Sequence, residues 1–203
     1  MSDLTTIELP FAFSVPEGFE AVDFARSPVE RAEKTVEKLS SLTPKPTDEE
    51  MLHAVITQQS MVDLLAESGC VYAGILLTRS SAQEHAPASL MLTVNVRPSE
   101  LDNSDTLERL ATTLAATHPD AEVGVVVLPI GPAVLLTEDT GVGQAANLLD
   151  VAEATKVRQL HAFVPIPGRT AMADFSISTE NTADWDDYVD ILAAVCRTIE
   201  LTE

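Results

Sequence analysis

The chain has 203 residues, 45% of them apolar, and a formal net charge of −20 from 32 acidic and 12 basic side chains. That length and apolar content suit one domain with a sizeable core and exclude global disorder. The charge repels phosphate backbones and anionic lipid, so nucleic acid and membrane surfaces are excluded as general partners.

Residues 5–15 alternate, with Ile7, Leu9, Phe11, Phe13 and Val15 on one face, which predicts a half-buried strand ended by Pro16 and Gly18. Phe19 and Val22 extend into a second short strand. Ser27-Pro28-Val29-Glu30 is a helix start: a capping hydroxyl, proline at the first position and Glu three residues after the cap. Val29, Ala32, Val36 and Leu39 follow as a narrow apolar stripe. Arg26, Arg31, Lys34, Lys38 and Lys45 lie nearby, but Glu20, Glu30, Glu33 and Glu37 are interleaved with them, so the segment is close to neutral. Pro44 and Pro46 break the helix. Thr47 and Glu50 open a second one, with Met51, Leu52, Val55, Ile56, Val62 and Leu65 as its stripe and Gly69 as its stop.

Residues 70–78 are almost wholly apolar, as in a strand covered on both faces. After a polar loop over 80–87, strand 88–96 sets Leu90, Leu92, Val94 and Val96 on one face and Met91, Thr93 and Asn95 on the other. A helix is predicted over 104–117, then strands over 123–128 and 133–137, a loop over 137–144 and a short helix within 145–155. Strands 157–165 and 170–178 flank Pro167-Gly168 as a hairpin. A last helix begins near Thr182, with Trp185, Val189, Leu192, Cys196 and Ile199 on one face. The pattern predicts an α/β (α+β) sandwich: a mainly antiparallel sheet of about six or seven strands with helices packed on it, one domain over 1–203.

The candidate chemistry is sparse. Gly141-Val142-Gly143-Gln144-Ala145-Ala146 matches a dinucleotide fingerprint, but Glu138 and Asp139 stand where a pyrophosphate wants positive potential, and position 161 is His where an acid belongs. The segment reads as a loop. Asp184, Asp186, Asp187 and Asp190 read as a helix start, where negative charge suits the dipole. His53, His85, His118 and His161 show no metal-ligand spacing, so neither a metal nor a cofactor is expected. Cys70 and Cys196 each sit in an apolar run and are expected to be buried, reduced thiols. Met-Ser-Asp-Leu-Thr-Thr-Ile-Glu at the start carries no basic or apolar leader, and no run approaches about 18 apolar residues. A cytoplasmic location is the expectation.

The hairpin carries the most information. With Pro167-Gly168 as a symmetric turn, Leu160 faces Phe175, Ala162 faces Ala173 and Val164 faces Ala171, a uniformly apolar face. On the other face Gln159 meets Ser176, His161 meets Asp174 and Phe163 meets Met172. Together with Met91, Thr93 and Asn95 they form a semi-polar surface that suits docking of a peptide or ligand. It suits equally an ordinary sheet face half covered by a loop.

Phe11-x-Phe13-x-x-Pro16-x-Gly18-Phe19 resembles the opening of PsbP-like domains. The strand–Pro167-Gly168–strand unit, with a last helix ending Ala194-Val195-Cys196-Arg197-Thr198-Ile199, resembles their close, and Leu128-Pro129-x-Gly131-Pro132-Ala133-Val134 looks like a segment of actinobacterial relatives. The resemblance implies an accessory or chaperone-like protein-binding role and brings no catalytic residues. The sequence therefore leads to a non-enzymatic accessory module whose partner is another protein or a second copy of the chain. The alternative is a small-molecule sensor or enzyme with a pocket near His161 and the 137–147 loop.

Overall fold

The computed structural model describes residues 9–40, 47–83, 87–99, 104–141 and 156–202. In chain order the elements are β1 (Phe11–Ala12), β2 (Phe19–Ala21), α1 (Pro28–Ser40), α2 (Asp48–Glu67), β3 (Cys70–Arg79), β4 (Pro87–Pro98), α3 (Ser104–Thr117), β5 (Glu122–Leu128), β6 (Gly131–Gly141), β7 (Lys156–Pro165), β8 (Ala171–Thr179), a single 3-10 turn (Thr182–Asp184), α4 (Trp185–Arg197) and β9 (Glu200–Leu201). Seven strands form an antiparallel sheet in the order β2-β3-β4-β8-β7-β6-β5, and β1 pairs with β9 in a separate ribbon. The fold is an α+β sandwich, as the alternation implied.

The local signals act as their chemistry dictates. Ser27 Oγ accepts from the Glu30 N–H at 3.3 Å, while the Ser27 N–H donates back to Glu30 Oε2 at 2.9 Å, a complete capping box. The Ser27 hydroxyl, which donates to Glu30 Oε2 at 2.7 Å, and the Ser27 N–H hold the Glu30 carboxyl below its ordinary value. Gly69 ends α2 with φ +82°, a conformation that a side chain resists.

One face of the sheet builds the core. Leu90, Leu92 and Val94 of β4, Ala173, Phe175 and Ile177 of β8, and Leu160, Ala162 and Val164 of β7 are buried there with Tyr188, Leu192, Val195 and Cys196 of α4. Phe11 and Phe13 close the cluster, their rings 5.9 and 5.3 Å from that of Phe175. Each fully buried Val, Leu, Ile or Phe among them contributes about 1.5–3 kcal/mol by leaving water.

Five expectations change. The opening strand is short: only Phe11–Ala12 pairs, although Phe13 and Val15 still pack on the core, and Ile7 lies outside the described residues. Val29 and Val36 of the α1 stripe are 65% and 40% exposed, because the helix packs on α2 rather than on the sheet. Residues 137–141 are not loop but the end of β6, paired with β7 as far as Gly141 opposite Lys156. The rest of the glycine segment and the helix expected within 145–155 lie outside the described residues. Cys70 is only partly buried, whereas Cys196 is buried as expected.

The fifth change is the hairpin register. Leu160 stands opposite Ile177, Ala162 opposite Phe175 and Val164 opposite Ala173, a slip of two residues. Pro167 and Gly168 (φ +72°) occupy the central positions of a type II turn, closed by the Arg169 N–H on the Ile166 carbonyl at 3.1 Å. The Ile166 N–H then donates to Ala171 O, so Arg169 and Thr170 belong to the connection. Because side chains alternate with period two, this slip changes the partners and keeps the faces.

Candidate functional site

The face opposite the core is built from the other half of each strand's alternation. Register places Met91, Thr93 and Asn95 of β4, Met172, Asp174, Ser176 and Ser178 of β8, and Gln159, His161 and Phe163 of β7 on it. All eight residues singled out in the sequence therefore share one surface. Ser176 and Ser178 belong to it too; the same alternation pointed to them. The ends of this face are covered: α3 packs on β5 and β6, with Leu107, Val134 and Leu136 buried, and α2 contacts β3, with Val62 and Ala73 buried. The three central strands between these ends carry the polar residues.

Their polar groups are engaged with one another. His161 Nδ1 lies 3.1 and 3.2 Å from the two Asp174 carboxylate oxygens. In the observed register His161 stands directly opposite Ser176 and diagonal to Asp174, and the diagonal contact is within reach of an imidazole. His161 Nε2 is 3.4 Å from Gln159 Oε1, and the imidazole stacks on Phe163 at 5.7 Å between centroids. Ser176 Oγ and Thr93 Oγ1 share a hydrogen bond of 2.6 Å. Ser68, just beyond α2, donates to Asn95 Oδ1 at 3.3 Å. Ser176 and His161 are thus neighbours whose polar atoms turn to different partners. Thr93, Asn95 and Asp174 are buried, while Met91, Gln159, His161, Phe163 and Met172 are half-buried. At one end of the face Ile75, Met91, Val157 and Ser178 help line a shallow recess of about 210 Å³.

The pocket expected near His161 and the 137–147 loop takes a different form. A cleft of about 430 Å³ is lined by Thr137, Glu138 and Asp139 together with His118, Glu122 and Arg158, and His161 is not part of it. Glu138 is tied to His118 Nδ1 at 2.8 Å. Arg158, on the core face, stacks over Trp185 at 4.8 Å. Residues 142–147 lie outside the described residues.

The acids of the last helix divide. Asp186 and Asp187 lie in the first turn of α4, as expected. Asp184 instead reaches back to the loop after β3, where its Oδ1 accepts from the Ser81 N–H at 2.8 Å, the Ser81 hydroxyl at 2.7 Å and the Ala82 N–H at 2.8 Å. The hydroxyls of Ser80 and Ser81 and the two amides hold its carboxyl down to about 2. These bonds pin that loop to the start of α4, across a hundred residues of sequence that no local pattern connects. Burial pushes the Cys196 thiol up to about 12 and raises that of Cys70, so neither is an activated nucleophile. Among the described residues no group of acids, His and Cys has metal-site geometry, and no helix is long and apolar enough to cross a membrane.

The class defined by these features is an α+β sandwich with a semi-polar sheet face between two helices. No family model matches the chain, so the PsbP-like resemblance gains no family assignment, and no curated protein matches it either. Among solved structures it is similar to LpqN of Mycobacterium tuberculosis, described as involved in cell envelope biogenesis, with 9% identity and a TM-score of 0.44 over 95% of this chain and 83% of that one. The cytoplasmic location expected from the N-terminal residues is not retained: the neighbour is described as involved in cell envelope biogenesis, and the chain is assigned to no compartment.

Proposed function

We propose that this chain is a non-enzymatic accessory module that binds another protein through the semi-polar face of its sheet. The observation that carries the reading is the arrangement of that face. Buried Thr93 and Asp174 are satisfied by half-buried Ser176 and His161, and the two pairs form a floor that is already hydrogen-bonded before anything binds. Half-buried Met91, Phe163 and Met172 offer adaptable apolar contact beside it. The recess beside Met91 accepts one apolar side chain of an extended segment. No activated nucleophile accompanies the His161–Asp174 pair in this reading, and the imidazole serves as a hydrogen-bonding and stacking surface.

A display library of random peptides selected on the purified protein tests it. We expect enriched sequences with apolar residues at alternate positions, and at least tenfold weaker binding to Met172→Asp, with its melting temperature little changed. Selection that yields no binder, or binders indifferent to Met172→Asp, would remove this face as the docking surface. A second reading, a small-molecule site, is favoured only by the cleft around His118 and Glu138. Selection of peptides that His118→Ala abolishes and Met172→Asp spares would move the site there.

A further inference from the structure

The two edges of the seven-stranded sheet are built differently. At one edge β2 is three residues long and carries Glu20 at its centre. Short length and an inserted charge are the devices that keep an edge from pairing with foreign strands. At the other edge β5 runs seven residues, Glu122-Val-Gly-Val-Val-Val-Leu128, in unbroken register with β6. It has no Lys, no Pro and no bulge. Val127 is 86% exposed and Val125 49%, and among the described residues no strand pairs with the outer side of β5.

We infer that β5 is a dimerisation strand, and that its partner is β5 of a second copy in antiparallel pairing. The strand is complementary to itself. With Val125 opposite its own equivalent across a two-fold axis, Val123 meets Val127 and Gly124 meets Val126. Glu122 meets Leu128, so the two Glu122 side chains fall at opposite ends of the pair. Six residues of strand separate them by about 20 Å, well beyond the screening length of about 8 Å at physiological salt. Charge also argues for this edge. Each chain carries −20, and an edge with one acid in seven residues brings two such chains together with little charge in the seam. A self-matched strand bearing one acid offers nothing that selects a basic partner; a second copy is what it fits.

Sedimentation velocity in about 150 mM salt over a hundredfold range of concentration tests the proposal. The wild-type chain is expected to shift from one to two chains' mass. Val125→Lys sets a lysine opposite itself and should remain monomeric across the range, with an unchanged circular dichroism spectrum. Val125→Glu should behave the same way. Because the site lies on the two-fold axis, mixing the Lys and Glu variants should restore the dimer. A wild-type chain that stays monomeric throughout overturns the inference. So does a dimer that persists in Val125→Lys, or a mixture of folded variants that stays apart.

Discussion

The two faces of the central sheet come from the same three strands and obey opposite rules. Toward α4, Leu90, Leu92 and Val94 of β4, Ala173, Phe175 and Ile177 of β8, and Leu160, Ala162 and Val164 of β7 are apolar and buried. Toward the other side, the intervening positions are Thr, Asn, Asp, Ser, His and Gln with Met and Phe at the margins. The first face stabilises the fold by removing hydrocarbon from water. The second is hydrogen-bonded within itself, contributes little hydrophobic free energy, and in the proposed reading is the face that binds. Substitutions should therefore separate: loss of stability on one face, loss of binding on the other.

The largest effect belongs to the core. Phe175→Ala removes a fully buried ring that touches Phe11 and Phe13 and should cost about 3–5 kcal/mol, read as a collapse of the urea midpoint. Met172→Asp, three residues earlier but on the other face, should move that midpoint little.

Next in size is an acid-sensitive contribution on the α4 side. The Asp184 carboxyl is held near 2 by its hydrogen bonds, below its ordinary value of 3.8. A depressed folded value gives stability that is fully present above about pH 4 and disappears as pH falls through about 2. Asp184→Asn should lower the urea midpoint at pH 6 and narrow the difference between pH 6 and pH 2.5. Equal slopes for both proteins across that window would show that the loop after β3 does not depend on the charge.

On the polar face, Thr93→Val leaves Ser176 without its 2.6 Å partner and should cost about 1 kcal/mol. The smallest effect is expected at Tyr188, whose hydroxyl is buried with no hydrogen-bond partner among the described residues and whose ionisation is disfavoured by burial and by the charges of Asp184 and Asp187. Tyr188→Phe removes an unpaired polar atom and should leave the melting temperature unchanged or slightly higher. A clear fall would show that the hydroxyl has a partner in solution.

Much of this division was legible before the fold. Period-two alternation in 88–96 and in the hairpin strands assigned Leu92, Phe175, His161 and Asp174 to their faces, and a two-residue slip could not disturb that. The pairing itself was not legible, because it depends on whether Arg169 and Thr170 lie in strand or connection. Both are polar residues that suit either. The apolar stripe of α1 misled for a related reason: Val29 and Val36 have helical spacing, but spacing does not reveal whether a neighbour arrives to cover them. Contacts across long sequence separations, Asp184 with Ser81 or Arg158 with Trp185, left no local trace. The apolar edge at β5 was visible as a run of valines, yet only the strand order shows that it lies at the boundary of the sheet.

Site-specific photo-crosslinking in the native host compares the two sides of the molecule most directly. A benzophenone side chain is placed at Phe163 or Met172 on the semi-polar face, and at exposed Ala194 on α4 as the reference. We expect a discrete adduct with one partner protein from positions 163 and 172 and none from 194. Adducts from 194 alone, or equally from all three positions, would contradict the assignment of binding to the semi-polar face.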